Sequence, residues 1–311
     1  MAALVAAATG LAGTAFAQDQ TYTIGVSVPT ADHGWTGGVD FFAQQAVDRL
    51  QKAYPSLKFV LATAPDPTKQ AADLEDMVTT RNIDGLVILP GDPDAMTAAI
   101  KKVKDAGKWV TVVDRALSQP GIPDLYVAGD NPGLGATTAD YFKQALPNGG
   151  NIVVLRGLPI PIDKQRVDAF MAGIDGTQIK VLDSQFANWN RDDGYKVMQD
   201  FLTKYPNIDA VWAQDDDTLI GVLKAIQEAG RQDDIWAVGG AGMNQIVKMV
   251  ESGSKEVPVD VSYNPNMVAT AIDLTALHFV ANAQVDGTMI INSTLITPDN
   301  AKQFDYENTP F

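Results

Sequence analysis

Short apolar runs rich in β-branched residues alternate along the first half of the chain with amphipathic stretches of helical length. In the stretch 37–54, for example, Phe41, Ala46 and Leu50 recur at helical spacing. Apolar runs separated by helices of about 10–15 residues are typical of βαβ units, whose parallel sheet is covered by helices on both faces. The predicted strands are YTIGVSV (22–28), KFVLATA (58–64), GLVILPG (85–91) and KWVTVVDR (108–115).

The same alternation starts again near residue 151. LYVAGD (125–130) links the two groups, and a long helix is predicted from about Pro265 to Ala283, before the apolar run MIINSTLIT. Two similar sets of strands predict an α/β fold with two doubly wound parallel-sheet domains of Rossmann-like architecture. The predicted strands of the second set are NIVVLRG (151–157), IKVLDSQF (179–186), DAVWAQDD (209–216) and DIWAVGGAG (234–242).

Length and charge narrow the class of protein. The 311 residues suffice for two domains of ordinary size. The formal net charge is −15 and no basic cluster occurs, which argues against a nucleic-acid partner and against adhesion to anionic membranes. Because the chain has no cysteine, disulfides, cysteine nucleophiles and thiolate metal sites are excluded.

The segment 1–17, MAALVAAATGLAGTAFA, is uncharged and consists of small and apolar residue types. It ends in Ala15-Phe16-Ala17, an A-x-A pattern of the kind that precedes signal-peptidase cleavage. Residues 1–17 are therefore predicted to be a signal peptide, and the mature protein is predicted to begin near Gln18 and to be periplasmic. The usual basic opening segment is missing, and a buried N-terminal helix is the alternative.

Polar and aromatic residues follow several of the predicted strands. Open α/β sheets bind ligands in the crevice outside the carboxyl ends of their strands, so these residues are candidates for a binding site. The candidates are His33, Trp35, Asp114 and Arg115 in the first half, and Arg166, Asn188, Trp189, Asp215, Tyr263 and Asn264 in the second.

The chemistry of this set matches an uncharged polyhydroxylated ligand. Hydroxyl groups both donate and accept hydrogen bonds, so a site for them needs carboxylates, amides and guanidinium groups side by side. The C–H faces of a sugar or polyol pack on flat aromatic rings. Trp35 and Trp189 are therefore predicted to clamp such a ligand from opposite domains.

Several candidates also have a purely structural interpretation. His33 fits a hydrogen-bonded surface loop, and both tryptophans fit a core position. Of the consecutive aspartates 215–217, Asp216 or Asp217 is predicted to lie at the start of a helix, where its negative charge interacts favourably with the positive end of the helix dipole. In this interpretation Asp114 and Arg115 would pair only with each other. Because a buried ion pair adds little to the stability of a protein, a role in function explains the two charges better.

Catalytic motifs are missing from the sequence. There is no G-x-S-x-G elbow and no P-loop, and GGAG (239–242) lacks the spacing of a dinucleotide-binding fingerprint. A metal site at 215–217 lacks a nearby histidine and calcium-loop spacing. We therefore predict a protein without catalytic residues, cofactor or metal. The remaining enzymatic alternative is an acid/base isomerase that uses Asp114 and Asp215.

Five stretches carry a resemblance to a known family: VVDR, GDNPGLG, KQRVDAF, VMQDFLTKYPNIDAVWAQDDDTLIGVLKAIQEAG and WAVGG. Together they resemble the periplasmic sugar-binding proteins of ABC importers, specifically the ribose-binding type, which shares its fold with the ligand domains of LacI-type repressors. The resemblance covers Tyr22 to about Thr297. It implies a type I periplasmic binding protein fold with lobes at 20–129 plus 264–292 and at 130–263 plus 293–311, joined by a three-segment hinge near Gly129–Asp130, Tyr263–Asn264 and Asn292–Thr294.

The resemblance implies ligand contacts for the candidates and also reveals a departure. Ribose-type relatives have an aromatic residue and an aspartate where this chain has Gly240 and Ala241, and a smaller polar residue where it has Tyr263. A different pentose, a hexose, a branched sugar or an open-chain sugar alcohol is therefore at least as compatible with the site as ribose.

The function implied by the resemblance is capture of a monosaccharide or sugar alcohol by hinge closure. The protein would act as a monomer and deliver its ligand to a membrane ABC permease. The alternatives are a sensing receptor that presents its ligand to a chemoreceptor or histidine kinase, and a binder of another small polar solute. A repressor would need a basic helix-turn-helix at its N-terminus, where this chain has the apolar segment 1–17.

Overall fold

The computed structural model describes residues 20–306, 309 and 311. The predicted signal peptide at 1–17 lies outside the described residues. Within the described part of the chain, no helix combines the length and the apolar character that a membrane span requires.

Strands and helices alternate along the described chain. The strands are β1 (Tyr22–Pro29), β2 (Leu57–Ala64), β3 (Gly85–Ile88), β4 (Trp109–Val113), β5 (Leu125–Gly129), β6 (Gly150–Arg156), β7 (Ile179–Phe186), β8 (Ala210–Trp212), β9 (Trp236–Val238), β10 (Asp260–Val261), β11 (Gly287–Ile291) and β12 (Leu295–Ile296). The helices are α1 (Gly34–Ala53), α2 (Pro67–Thr79), α3 (Pro93–Asp105), α4 (Asn131–Ala145), α5 (Pro161–Ile174), α6 (Arg191–Lys204), α7 (Asp216–Glu228), α8 (Asn244–Glu251) and α9 (Met267–Ala281), followed by a 3₁₀ turn at Ala301–Phe304.

The first sheet has the strand order β11-β5-β4-β3-β1-β2, and all its pairs are parallel. Helices α1 and α9 pack on the face that carries Val26 and Val87, and helices α2 and α3 pack on the face that carries Leu86 and Val112. Because both faces are covered, the central strands are continuous apolar runs. We call this sheet, with α1, α2, α3 and α9, the first lobe.

The second sheet has the strand order β7-β6-β8-β9 and is also parallel. Trp212 of β8 stacks on Phe170 of α5 with ring centroids 4.3 Å apart, and Phe142 of α4 meets Phe170 edge-on at 5.4 Å. We call this sheet, with α4 to α8 and the antiparallel pair of β10 and β12, the second lobe. The two parallel sheets confirm the predicted fold class.

The chain passes between the two lobes three times: between β5 and α4, between β10 and α9, and between β11 and β12. The three predicted hinge segments fall at these passages. Ser293 Oγ donates a hydrogen bond of 3.1 Å to the Asp130 carbonyl, so the first and third passages lie side by side. The exact lobe boundaries and the hinge role of these segments stay predictions.

The start of α7 agrees with the sequence interpretation, and the structure adds the identity of its N-cap. Asp215 is the N-cap, and its carboxylate accepts a hydrogen bond of 3.1 Å from the Thr218 backbone N–H. Asp216 and Asp217 do lie in the first turn, as predicted, but the cap itself is Asp215. A short side chain with extended backbone at the N-cap accepts from the N3 amide most readily, which selects Asp215.

Candidate ligand-binding site

A small cavity lies between the two lobes, at the carboxyl ends of strands from both sheets; with the solvent space at its opening it measures about 350 Å³. Eight of the ten sequence-predicted candidates line it, and Ile162, Gly240 and Ala241 complete the wall. The lining residues are His33, Trp35, Asp114, Arg115, Ile162, Arg166, Trp189, Asp215, Gly240, Ala241 and Tyr263.

Backbone in the left-handed region surrounds this cavity. The φ angle is +62° at Asp114, +63° at Gln214, +55° at Asn188 and +52° at Trp189, and these residues follow the ends of β4, β8 and β7. Side chains other than glycine adopt this region uncommonly, and a bulky residue there is strained. Such strain persists where the surrounding structure holds it, and it clusters at functional sites.

A hydrogen-bonded chain joins the two lobes at the floor of the cavity. The Tyr263 hydroxyl donates to Asp114 Oδ1 of the first lobe at 2.5 Å and accepts from Asn131 Nδ2 of the second lobe at 2.9 Å. Asn131 Oδ1 in turn accepts from Arg166 Nε at 2.8 Å, and the guanidinium lies 4.4 Å from the centroid of the Tyr263 ring. The Tyr263 side chain therefore holds one carboxylate oxygen of Asp114 in position and orients the guanidinium group of Arg166.

Arg115 and Asp114 form an ion pair without a hydrogen bond between them. The distance from Arg115 Nε to Asp114 Oδ2 is 3.9 Å, beyond hydrogen-bonding range. Arg115 instead donates through Nη1 to the carbonyls of Pro90 and Gly91, at 3.2 and 2.6 Å. Its buried Nε has no hydrogen-bond partner in the described part of the chain. An unpaired buried donor is costly, so this atom is suited to a ligand oxygen.

Two indole rings line the cavity, one from each lobe. Trp35 is anchored by a hydrogen bond of 2.9 Å from Nε1 to the Tyr263 carbonyl. Trp189 lies directly on Gly157, where a Cβ would come within 1.9 Å of the ring. The Arg166 guanidinium lies 5.5 Å from the Trp189 ring centroid. Protein contacts hold both rings in position, but the clamp that they were predicted to form stays a prediction.

Acidic and basic groups from both lobes meet beside the cavity. The His33 ring donates through Nδ1–H to Asp32 Oδ1 at 2.5 Å. Burial alone would lower the pKa of His33, but the hydrogen bond to Asp32 and the nearby carboxylate of Asp215 raise it above its usual value. Burial raises the pKa of Asp215 to about 7, against the opposing effect of His33. Burial also raises the pKa of Asp114, against the charge of Arg115.

Two candidates lie apart from the cavity. Asn188 Nδ2 donates to Asp193 Oδ2 at 3.0 Å in a groove outside it, and Asn264 Oδ1 accepts from the Asn266 backbone N–H at 2.7 Å. Their part in binding stays a prediction. Sequence reasoning missed Asn131, which directly follows the end of β5 and Asp130. The strand-end rule that selected the other candidates would have found it.

The loop that carries Gly240 and Ala241 is held by two buried carboxyl groups. Asp216 accepts from the backbone N–H groups of Gly240 and Met243 at 3.0 and 2.7 Å, and Asp260 accepts from Gly242 N–H at 3.0 Å. Burial raises the pKa of both carboxyl groups, that of Asp216 to about 6. The folded protein therefore holds a proton on these groups up to a higher pH than the unfolded chain does.

Substituting Asp260→Asn is expected to flatten the dependence of stability on pH. A raised folded-state pKa gives stability that is present below the unfolded pKa and is lost as pH rises through the folded pKa. The free energy of unfolding of the wild type should therefore fall, relative to that of Asp260→Asn, as pH rises from about 4 to about 8. Urea unfolding across this range measures the difference. Curves that stay parallel would contradict it, and the exposed Asp233→Asn is the control.

Two parallel-sheet lobes joined by three passages, with a polar and aromatic cavity between their strand ends, define a two-lobed binding protein. The model of the periplasmic binding protein domain family matches residues 24–282, which is most of the chain. The chain therefore belongs to the periplasmic binding protein domain family.

Individual relatives narrow the resemblance. The chain is 30% identical over 250 residues to the ribose import binding protein of Escherichia coli (strain K12), covering 80% of this chain and 81% of the relative. It is 29% identical over 248 residues to the xylitol-binding protein of Mycolicibacterium smegmatis, covering 78% and 68%. An ABC transporter solute binding protein from Bacillus halodurans C-125 with bound myo-inositol has a TM-score of 0.82 at 23% identity, covering 93% of this chain and 99% of that chain. The resemblance to the ribose-binding type is thereby confirmed.

Proposed function

We propose that this protein captures a monosaccharide or a sugar alcohol in the cavity between its lobes and delivers it to an ABC permease in the membrane. The observation that carries the proposal is the composition of the cavity wall. It combines two guanidinium groups, two carboxyl groups, a phenol and two indole rings, contributed by both lobes and by the passage between them.

Each part of this wall suits a polyhydroxylated ligand. The guanidinium groups donate and the carboxylates accept, so neighbouring hydroxyls find partners of both kinds. The rings of Trp35 and Trp189 offer flat apolar surface to C–H groups.

Tyr263 and the glycine loop support a ligand other than ribose. The Tyr263 side chain lines the cavity, and beside it Gly240 and Ala241 contribute almost no side chain, since the Tyr263 backbone N–H donates to the Ala241 carbonyl at 3.0 Å. A ring or chain whose hydroxyls are placed differently from those of ribose fits this rearranged wall. The named ligands of the relatives, namely ribose, xylitol and myo-inositol, span pentoses, open-chain alcohols and cyclic alcohols.

The proposed mechanism is closure about the three passages. In an open form each lobe presents half of the wall, and the ligand favours the closed form because only that form lets both halves contact it. No chemical step is part of the proposal, since the site needs only to bind and release. The proposal includes the location and the state of the protein. It is exported by means of its signal peptide and captures its ligand in the periplasm as a monomer.

A thermal-shift screen of the purified protein, stripped of carried-over ligand, tests the proposal. The panel comprises pentoses, hexoses and their sugar alcohols. A ligand with a micromolar Kd at millimolar concentration adds about 4 kcal/mol to the free energy of unfolding, so a true ligand should raise Tm clearly. No shift across the panel would overturn sugar binding. Turnover of a ligand that binds would favour the isomerase alternative, and binding to a receptor kinase instead of a permease would favour sensing.

A further inference from the structure

The first turns of α1 and α7 contact each other directly across the mouth of the cleft. The backbone N–H of Gly34, the first residue of α1 in the first lobe, donates to Asp217 Oδ2 of α7 in the second lobe at 2.6 Å. Neither residue lines the ligand cavity. The contact thus joins the lobes without a ligand atom between them.

The carboxylate of Asp217 is held in position for this contact. Its other oxygen, Oδ1, accepts from Arg191 Nη2 at 2.9 Å, and the Asp217 side chain is buried whereas Arg191 remains half exposed. The N–H groups of a first helical turn have no partner within their own helix. Asp217 supplies one to α1, with the negative charge that a helix N-terminus favours.

The nearness of the second lobe, and not the backbone conformation at residue 34, favours glycine at this position. Its φ lies outside the left-handed region, so an alanine would adopt this helical position without strain. A Cβ there would lie 2.6 Å from Asp217 Oδ2 and 2.6 Å from Met243 Cε, both on the second lobe. An added Cβ would therefore displace the ends of these two side chains, and the Asp217 carboxylate would leave the position from which it accepts the Gly34 hydrogen bond.

We propose that Gly34 and Asp217 form a clasp that stabilises the closed arrangement of the lobes and thereby sets ligand affinity without contacting the ligand. The proposal rests on the proposed function, because it assumes that closure accompanies binding. The measured Kd equals the intrinsic Kd divided by the fraction of protein in the competent form. A weakened clasp therefore raises Kd by the same factor for every ligand. These are positioning residues, in contrast to Arg166 or Tyr263, whose substitution should change the ranking of ligands.

The substitution Gly34→Ala tests the clasp, with Gly37→Ala as its matched control. Both glycines lie in the first turns of α1, but a Cβ at Gly37 would meet nothing closer than Ala31 Cβ, at 4.0 Å. Alanine favours helix at both positions, so neither variant should unfold more easily than wild type without ligand. We expect Gly34→Ala to raise Kd roughly tenfold, by an equal factor for each ligand that binds, and Gly37→Ala to leave Kd unchanged.

Lobe closure is measured separately from affinity. The chain has no cysteine, so spin labels on Glu75→Cys of the first lobe and Lys196→Cys of the second report the distance between the lobes by pulsed electron paramagnetic resonance. At equal ligand concentration, the closed population should be smaller in Gly34→Ala and in Asp217→Ala than in wild type and Gly37→Ala.

The outcomes separate the two proposals. If wild type binds a sugar and closes, and Gly34→Ala binds and closes equally well, the clasp is wrong and the proposed function stands. A loss of affinity that differs from ligand to ligand would also overturn the clasp, because it would place Gly34 in the site itself. If wild type binds no member of the panel, the proposed function fails. The clasp is then tested by the distances between the spin labels without ligand, and equal distance distributions in Gly34→Ala and Gly37→Ala would reject it.

Discussion

Replacing Arg166 by alanine is expected to weaken ligand binding by about 10- to 100-fold and to leave the fold intact. A hydrogen bond from a charged donor in a water-poor cleft contributes roughly 1.5–3 kcal/mol, which corresponds to that range. Arg166 also links Asn131 to the Gln214 carbonyl, at 2.8 and 3.2 Å. Its loss removes a ligand donor and loosens the neighbours that position Tyr263.

Titration calorimetry with a ligand identified by the thermal-shift screen measures this loss. Arg231→Ala is the control, because Arg231 pairs with Asp234 at 3.1 Å on the surface, away from the cavity. Arg166→Lys separates charge from shape, since lysine keeps the charge but not the planar fork. Wild-type affinity in Arg166→Ala, with an unchanged far-ultraviolet circular dichroism spectrum, would exclude Arg166 from the binding wall.

The strand ends of the fold could be predicted from the sequence because two signals occur together, namely an apolar run and the polar residues that directly follow it. Continuous apolar runs identify buried parallel strands, and the first polar residues after them must lie at the same edge of the sheet. This reasoning identifies Asp114, Arg115 and Asp215 from the sequence. The rule works for positions one to three residues beyond the end of a strand.

Side-chain direction could not be predicted in the same way. Asn188 and Trp189 are neighbours in the sequence and both have left-handed backbone, yet only the indole lines the cavity. Tyr263 reaches its place because Gly129, at another passage, leaves room; a Cβ there would lie 2.2 Å from the Tyr263 ring. Such fits depend on residues far apart in the chain, and no local pattern encodes them.

The clasp illustrates the same limit across the lobes. A glycine in the first turn of a helix reads as a weak helix former, and nothing near Gly34 in the sequence points to Asp217, 183 residues later. The contact follows from how two helix starts meet when the lobes are closed. Sequence periodicity describes each lobe by itself, so it contains no information on that approach.

Replacing Trp189 by alanine is the second substitution expected to have a large effect, with a loss of affinity of about tenfold or more. Ring stacking contributes roughly 0.5–1.5 kcal/mol beyond the burial of apolar area, and the buried area of a ring face adds to it. Trp189→Phe keeps a flat apolar ring and should retain part of the affinity. Calorimetry on the three proteins gives the series, and equal affinity in Trp189→Ala and wild type would remove the indole from the site.

The effects of substituting Arg166 and Trp189 on ligand affinity should not be independent of each other. The guanidinium lies over the indole, 5.5 Å from its centroid, so each residue positions the other. Contacting residues show coupling energies of about 0.5–3 kcal/mol. The double variant is therefore expected to bind more tightly than the product of the two single losses predicts. Strict additivity in this cycle would mean that the two side chains contact separate parts of the ligand, and that the wall is not one preorganised surface.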